Sequence, residues 1–175
     1  MHRWGVILLA VCAIGAAGCG DDDDSSTAPS NQPLVFAATL SAASEVPAIT
    51  NAESATTGDG TFTITPTRDS SNTITGGTIA MSFTLRNLTS TSSITLAHIH
   101  TGAAGVNGGV IVNTGLSAAT AIATPAGSAS FENRNITGVD AATMNAIVAN
   151  PAGFYFNVHT ALNPGGVARG QLRVQ

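Results

Sequence analysis

The sequence predicts an all-β domain: an antiparallel β-sandwich or flattened barrel with one short helix. From Leu34 onward, segments rich in Thr, Ile, Val and Phe alternate apolar and polar residues, as half-buried strands do. Clusters of Gly, Asn, Asp and Ser interrupt these segments at short intervals, which is typical of connections between antiparallel strands. A single segment, which begins near Asp140, has helical spacing instead.

The alternating segments predict eight strands. Their number and close spacing are typical of a sandwich or barrel, with turns at segments such as 57–60, 69–72 and 107–109. In chain order, the predicted strands are Leu34–Ser41, Gly60–Pro66, Thr73–Leu88, Ile94–His100, Gly109–Leu116, Gly127–Asn133, Gly153–Thr160 and Ala168–Val174.

The predicted helix begins after Asp140, whose carboxylate can cap the first turn. Met144, Ile147 and Val148 follow at the i, i+3 and i+4 positions of one apolar face, and Pro151 ends the segment. We expect this helix to pack over one end of the sandwich.

Residues 1–18 predict a signal peptide, because a positive charge at Arg3 leads into an apolar run and then into small residues. The apolar run is too short to span a bilayer as a permanent anchor. Residues 16–19, with the sequence Ala-Ala-Gly-Cys, resemble a bacterial lipobox, which predicts lipidation of Cys19. The alternative is an ordinary secretory signal followed by an incidental cysteine.

The composition of residues 19–33 predicts a flexible tether, and that of residues 34–175 predicts a folded domain. The tether combines a run of four aspartates with Ser, Thr, Pro and Asn, so it has almost nothing to bury. Removal of the signal peptide would also remove Cys12 and leave Cys19 without a disulfide partner. The domain must then be stabilised by its core alone.

The scarcity of charge excludes several functions. Charged residues make up 9% of the chain, against about 25% in a typical soluble domain. From Leu34 onward there are six acidic residues and five arginines, and the chain has no lysine. Such a surface offers no basic field for nucleic acid, and the chain has no amine for a Schiff base or a phosphate-binding loop.

Three of the four histidines form a candidate site for a copper or zinc ion. His98 and His100 are two residues apart in a predicted strand, so their side chains share one face. Within 154–160, the alternation places His159 on the face opposite to the phenylalanines. If the two strands are neighbours, the three imidazoles can converge on one ion at about 2.0–2.1 Å.

A structural role is the alternative for these histidines. A neutral imidazole can donate one hydrogen bond and accept another, so buried histidines can fasten loops at the end of a sandwich without any metal. The sequence alone leaves both interpretations open.

Four ordered motifs resemble the CHRD domain, a family first named from chordin and also found in bacterial envelope proteins. The motifs are Glu45-Val46-Pro47, Ala97-His98-Ile99-His100-Thr101-Gly102, Phe154-Tyr155-Phe156-Asn157-Val158-His159-Thr160, and Asn163-Pro164-Gly165-Gly166 leading to Arg169-Gly170-Gln171-Leu172. The resemblance covers about residues 35–175. It implies an immunoglobulin-like β-barrel with faint similarity to Cu,Zn superoxide dismutases, and it implies no established activity.

The similarity to the dismutases implies roles for four residues. His98, His100 and His159 are similar in kind and order to copper ligands, and Arg169 is similar to the arginine that guides the anion. The bridging histidine, the zinc loop and the structural disulfide of those enzymes have no counterpart in this sequence. A complete two-metal dismutase is therefore not expected.

Glu45 and Arg169 are the two charged residues inside the four motifs, and both stand among apolar or small neighbours. Because a buried charge persists mainly when it is paired, we expect them to form an ion pair near the histidines. The alternative is two separate surface groups.

The sequence favours a non-enzymatic binding or structural module, anchored by lipid at Cys19 in a bacterial cell envelope. The outer membrane or the cell surface is favoured over the inner membrane, because Gly20 is not the residue associated with inner-membrane retention. The expected partners are the membrane and an unidentified protein or other extracellular partner. The alternative is a mononuclear copper or zinc protein, with redox activity in the copper case, that uses His98, His100 and His159.

Overall fold

The strands of this computed structural model form one continuous antiparallel sheet that curls on itself. The structure describes residues 30–175, so the predicted signal peptide and Cys19 lie outside the described residues. In chain order, the strands are β1 (Leu34–Ser41), β2 (Thr57–Arg68), β3 (Ile74–Arg86), β4 (Ser93–Thr101), β5 (Val110–Asn113), β6 (Ile122–Ala123), β7 (Ala129–Asp140), β8 (Phe154–Thr160), β9 (Ala168–Gln171) and β10 (Arg173–Val174).

The sheet runs in the order β5-β4-β8-β9-β1-β2-β3-β7, with β6 beside β4 and β10 beside β1. The order places β4, β8 and β9 side by side, although β4 is far from the other two in sequence. The strand pairs in this sheet are antiparallel. The predicted all-β class, a sandwich or flattened barrel with one short helix, is confirmed.

The core lies between the two halves of the curled sheet. Phe156 of β8 contacts Phe62 of β2 and Phe83 of β3, with ring centroids 4.9 Å and 5.3 Å apart. Because β9 and β1 separate β8 from β2 along the sheet, these contacts require the sheet to fold over. Burial of each phenylalanine contributes roughly 1.5–3 kcal/mol, so this aromatic cluster stabilises the fold strongly.

The predicted turn at 57–60 was wrong, because β2 already begins at Thr57. The glycines in this segment permit close packing. A Cβ atom at Gly58 would overlap the backbone carbonyl of Thr84 on the neighbouring strand. Pairing with β1 and β3 therefore extends the strand through residues whose composition is typical of a turn.

Other parts of the sheet also differ from the prediction. The strand predicted over Gly127–Asn133 continues to Asp140, because β3 offers a paired edge as far as Gly76. The short strand β6 was not predicted, since two residues are too few to show a periodic pattern. The strand predicted over Ala168–Val174 is divided at Leu172 into β9 and β10.

The predicted helix is confirmed as α1 (Ala141–Ala149). A carboxylate oxygen of Asp140 accepts the backbone N–H of Thr143 at 2.9 Å, which caps the first turn. Met144 and Ile147 are fully buried, and α1 packs against β3. No helix among residues 30–175 has the length and apolar character needed to cross a membrane.

Candidate functional site

The site lies on one face of β4, β8 and β9, which we call the site face. His98 pairs with Asn157 of β8, His100 pairs with Tyr155, and Arg169 of β9 pairs with Asn157. Directly paired residues share a face of the sheet, so these side chains all project to the same side. The residues between them face the core; they are Ile99, Phe156, Val158 and Ala168.

The structure brings the three predicted histidines together on the site face. His159 lies opposite Leu96, one diagonal step from His98. The Nδ1 atom of His98 is 3.2 Å from the Nε2 atom of His159. One ring nitrogen from each of the three residues lies within 4.8 Å of the others, and the side chains are almost fully buried.

Backbone carbonyls fix the tautomers of two of these rings. The Nδ1 atom of His100 is 3.1 Å from the carbonyl oxygen of Gly108, and the Nδ1 atom of His159 is 2.9 Å from that of Pro164. A carbonyl oxygen can only accept, so both Nδ1 atoms carry the proton and both Nε2 atoms keep a lone pair. The Nε2 atom of His100 is buried without a hydrogen-bond partner among the described residues.

The three imidazoles are neutral at neutral pH. Burial, together with the neighbouring His159 and His100, lowers the pKa of His98 to about 4. Burial also lowers the pKa of His100 and of His159, although the hydrogen bonds to Gly108 and Pro164 act in the opposite direction. A neutral ring has one unprotonated nitrogen that can bind a Lewis acid. In the metal-free protein the Nε2 atom of His159 accepts the Nδ1 proton of His98, and a bound ion would replace this hydrogen bond.

The structure also brings Glu45 and Arg169 together. The Nε atom of Arg169 donates to a carboxylate oxygen of Glu45 at 2.9 Å, and both side chains are almost fully buried. Burial raises the pKa of Glu45, although the Arg169 charge and this hydrogen bond act against the shift. Arg169 also donates through Nη2 to the Asn107 side-chain oxygen at 2.7 Å.

Tyr155 connects the ion pair to the histidines. Its ring stacks on His100 with centroids 4.9 Å apart and an interplanar angle of 11°. The guanidinium of Arg169 lies 4.7 Å from the centroid of the same ring. The predicted histidines and the predicted ion pair are therefore parts of one buried cluster.

A second buried carboxylate, Glu53, was missed by the sequence analysis. It accepts hydrogen bonds from the Thr160 hydroxyl at 2.6 Å, from the Asn163 amide at 2.7 Å and from the Thr89 hydroxyl at 3.2 Å. Burial raises its pKa, but these donors outweigh burial, so the pKa lies below its ordinary value. No signal in the sequence could have found Glu53, because it stands in a polar loop outside the four motifs.

Comparison with known proteins gives one match. The chain matches the CHRD domain family over residues 36–172, a range that contains every site-face residue described above. No curated protein and no solved structure matches the chain significantly. The match covers most of the sequence, and the chain therefore belongs to the CHRD domain family.

Proposed function

We propose that this CHRD domain is a metal-binding module of a bacterial cell envelope, which holds one copper or zinc ion with His98, His100 and His159. The observation that carries the proposal is the buried Nε2 atom of His100, which has a lone pair and no partner among the described residues, beside two further histidines. An unpaired buried acceptor costs free energy, and a metal ion would satisfy it.

The spacing of the ring nitrogens supports a shared ion. Two nitrogens that each bind one tetrahedral ion at 2.0–2.1 Å are about 3.3 Å apart. The Nδ1 atom of His98 and the Nε2 atom of His159 are 3.2 Å apart, so an ion could take the place of the hydrogen-bond proton between them, with the His98 proton moved to its Nε2 atom. The other separations reach up to 4.8 Å, so binding would draw the His100 ring closer to the other two.

The surroundings of the rings also support a metal site. Metal-binding histidines usually donate the second ring N–H to a carbonyl or carboxylate, which orients the ring. His100 and His159 both donate to backbone carbonyls in this way. Three neutral imidazoles are suitable ligands for copper or zinc, and a bound ion would supply Lewis acidity or, if copper, electron transfer. We expect copper rather than zinc if the similarity to Cu,Zn superoxide dismutases that the sequence motifs imply extends to the metal.

The proposed location follows from the N-terminal sequence. Lipidation at Cys19 would attach the protein to a membrane, and residues 20–33 would hold the domain away from the surface. The outer membrane or the cell surface is the expected site. The module would act by binding rather than by catalysis, and its further partner would be a protein or another extracellular component.

A purely structural role is the second candidate, and the same two carbonyl contacts favour it. They fasten the loops that contain Gly108 and Pro164 to β4 and β8 whether or not a metal is present. Under this interpretation the histidines strengthen the end of the domain and bind nothing.

Metal analysis of the purified protein separates the two candidates. We expect about one equivalent of copper or zinc per chain, and a rise in Tm when either ion is added to the metal-free protein. His98→Ala, His100→Ala and His159→Ala should each abolish stoichiometric binding. Arg86→Gln, which alters an exposed ion pair with Asp59, is the control and should bind like the wild type.

The structural role is supported, and the metal site is rejected, if the wild-type protein binds less than a tenth of an equivalent of metal and its Tm does not change with Cu²⁺ or Zn²⁺. The histidine variants would then lower Tm without changing metal content. Because the deciding measurements are made on the wild-type protein, the experiment separates the candidates even if one variant fails to fold.

A further inference from the structure

Loops hold the Nδ1 atoms of His100 and His159, in addition to the contacts that the two rings make with Tyr155 and His98 on the sheet. Gly108 lies between β4 and β5, and Pro164 lies between β8 and β9. Their carbonyl oxygens accept the Nδ1 protons of the two histidines. The orientation of each ring therefore depends in part on what fixes its loop.

A first network fixes the loop that contains Gly108. The Asn107 side chain accepts from Arg169 at 2.7 Å and donates to the carbonyl oxygen of Val46 at 2.9 Å. Arg169 is itself paired with Glu45 at 2.9 Å. Asn107 thus ties the Gly108 loop to a buried ion pair that is anchored on β9.

A second network fixes the turn that contains Pro164. The Asn163 amide donates to Glu53 at 2.7 Å, and the Thr160 hydroxyl donates to the same carboxylate oxygen at 2.6 Å. Asn51 donates to the Asn163 side-chain oxygen at 2.7 Å. Both polar atoms of the Asn163 side chain are therefore hydrogen-bonded, which fixes the residue before Pro164.

We infer that the two buried carboxylates, Glu45 and Glu53, position separate metal ligands: Glu45 acts through Arg169 and Asn107 on His100, and Glu53 acts through Asn163 on His159. The two networks have no residue in common among the contacts described above. The inference rests on the proposed metal site for its functional meaning, but the positioning itself can be measured in the metal-free protein.

The negative charge of each carboxylate strengthens the hydrogen bonds that it accepts in its network. Hydrogen bonds to an ionised acceptor are shorter and stronger than those between neutral groups. Residues that orient metal ligands from outside the coordination shell typically change metal affinity by 10–100-fold when they are mutated. Glu45 and Glu53 would therefore influence the ion without touching it.

Three exposed asparagines provide a matched set of variants. Asn51→Ala weakens the second network, Asn107→Ala weakens the first, and Asn145→Ala removes a hydrogen bond within α1 that belongs to neither. All three side chains are exposed, so each variant is expected to fold. Circular dichroism and Tm provide the check on folding.

The first readout is the NMR signal of the ring Nδ1 protons in the metal-free protein. Asn107→Ala should broaden or remove the His100 signal and leave the His159 signal in place. Asn51→Ala should do the reverse, and Asn145→Ala should leave both signals unchanged. Glu53→Gln provides a stronger perturbation of the second network and should affect the His159 signal more than Asn51→Ala does.

The second readout is the affinity for Zn²⁺, measured by competition with a chelator. Asn51→Ala and Asn107→Ala should each weaken binding by about tenfold, while Asn145→Ala should match the wild type. Folded variants that keep both Nδ1 signals and wild-type affinity would overturn the inference. A wild-type protein that binds no Zn²⁺ but shows the selective loss of signals would overturn the proposed metal site and leave the positioning intact.

Discussion

At the residue scale, the histidine cluster combines burial with neutrality. Burial is the main cause that lowers the pKa of each of the three rings, and a neighbouring positive charge would add to it: other histidines for His98 and His159, and Arg169 for His100. The folded protein therefore resists protonation over a pH range in which the unfolded chain accepts protons. The low pKa values of the histidines therefore affect both the stability of the fold in acid and the number of unprotonated ring nitrogens at neutral pH.

This property predicts a loss of stability in mild acid. The pKa of His98 is about 4 in the folded protein, below its ordinary value of 6.5, so the unfolded chain binds more protons between these values. For the metal-free protein, His98 alone should lower the free energy of unfolding by about 2 kcal/mol between pH 7 and pH 5. Urea denaturation at both pH values measures this loss. His98→Gln should show a smaller loss, and a stability independent of pH would contradict the argument.

Two adjacent glycines provide a second test at this scale. Gly166 has a φ of +130°, and a Cβ atom there would lie 2.7 Å from the Asn157 side-chain oxygen and 2.9 Å from a Glu45 oxygen. Gly166→Ala should therefore destabilise the protein by about 1–3 kcal/mol, since it combines backbone strain with crowding of two buried polar groups.

Gly165→Ala is the matched control for this test. A Cβ atom at Gly165 would have no heavy atom within 4 Å. Its effect on the free energy of unfolding should stay within about 0.5 kcal/mol, as for most surface substitutions. Equal effects of the two substitutions in chemical denaturation would show that the crowding at Gly166 is unimportant.

At the element scale, the periodicity of the sequence predicted most of the fold. Period-two alternation identified the strands of the sheet, and the capping residue with three spaced apolar residues identified α1. The errors lie where a partner strand overrides local composition, as at Thr57–Gly60, where β1 and β3 extend β2. Pairing of this kind depends on distant residues, so a local pattern cannot show it.

The helix also provides an element-scale prediction. The Met144 side chain is fully buried where α1 meets β3, and a Cβ atom at Gly77 would touch its terminal methyl carbon. Met144→Ala should lower the free energy of unfolding by about 2–5 kcal/mol, because it leaves a cavity under the helix. Met144→Leu conserves the volume and should cost less than about 1.5 kcal/mol. Similar losses for both variants in urea denaturation would contradict this packing argument.

At the scale of the whole molecule, the site is assembled from distant parts of the chain. The resemblance to the CHRD domain directed attention to His98, His159 and Arg169, and strand geometry placed the histidines on matching faces. Glu53 could not be predicted, since its partners Thr89, Thr160 and Asn163 come close only after the sheet has formed. The sequence therefore indicated the three histidines but not the network behind His159.

The predicted membrane anchor belongs to this scale as well. If Cys19 is lipidated, the protein expressed in a bacterium should fractionate with membranes and incorporate labelled fatty acid. Cys19→Ala should abolish both properties, because the mature chain would then have no acylated residue. Cys12→Ala lies within the predicted signal peptide and serves as the control, which should remain membrane-bound. Release of both variants, or of neither, would refute lipidation at Cys19.

The burial of β8 on both of its faces has a consequence for dynamics. Phe156 and Val158 point into the core, while Tyr155, Asn157 and His159 lie on the opposite face, and all seven residues of the strand are buried. A strand enclosed in this way cannot fray by itself, so its amide protons should exchange with solvent deuterium only through global opening of the domain. An ion bound by His159 would stabilise the folded state and so slow the exchange of every amide that exchanges by global opening. The exchange rates of the most protected amides would then show whether the histidines have bound an ion.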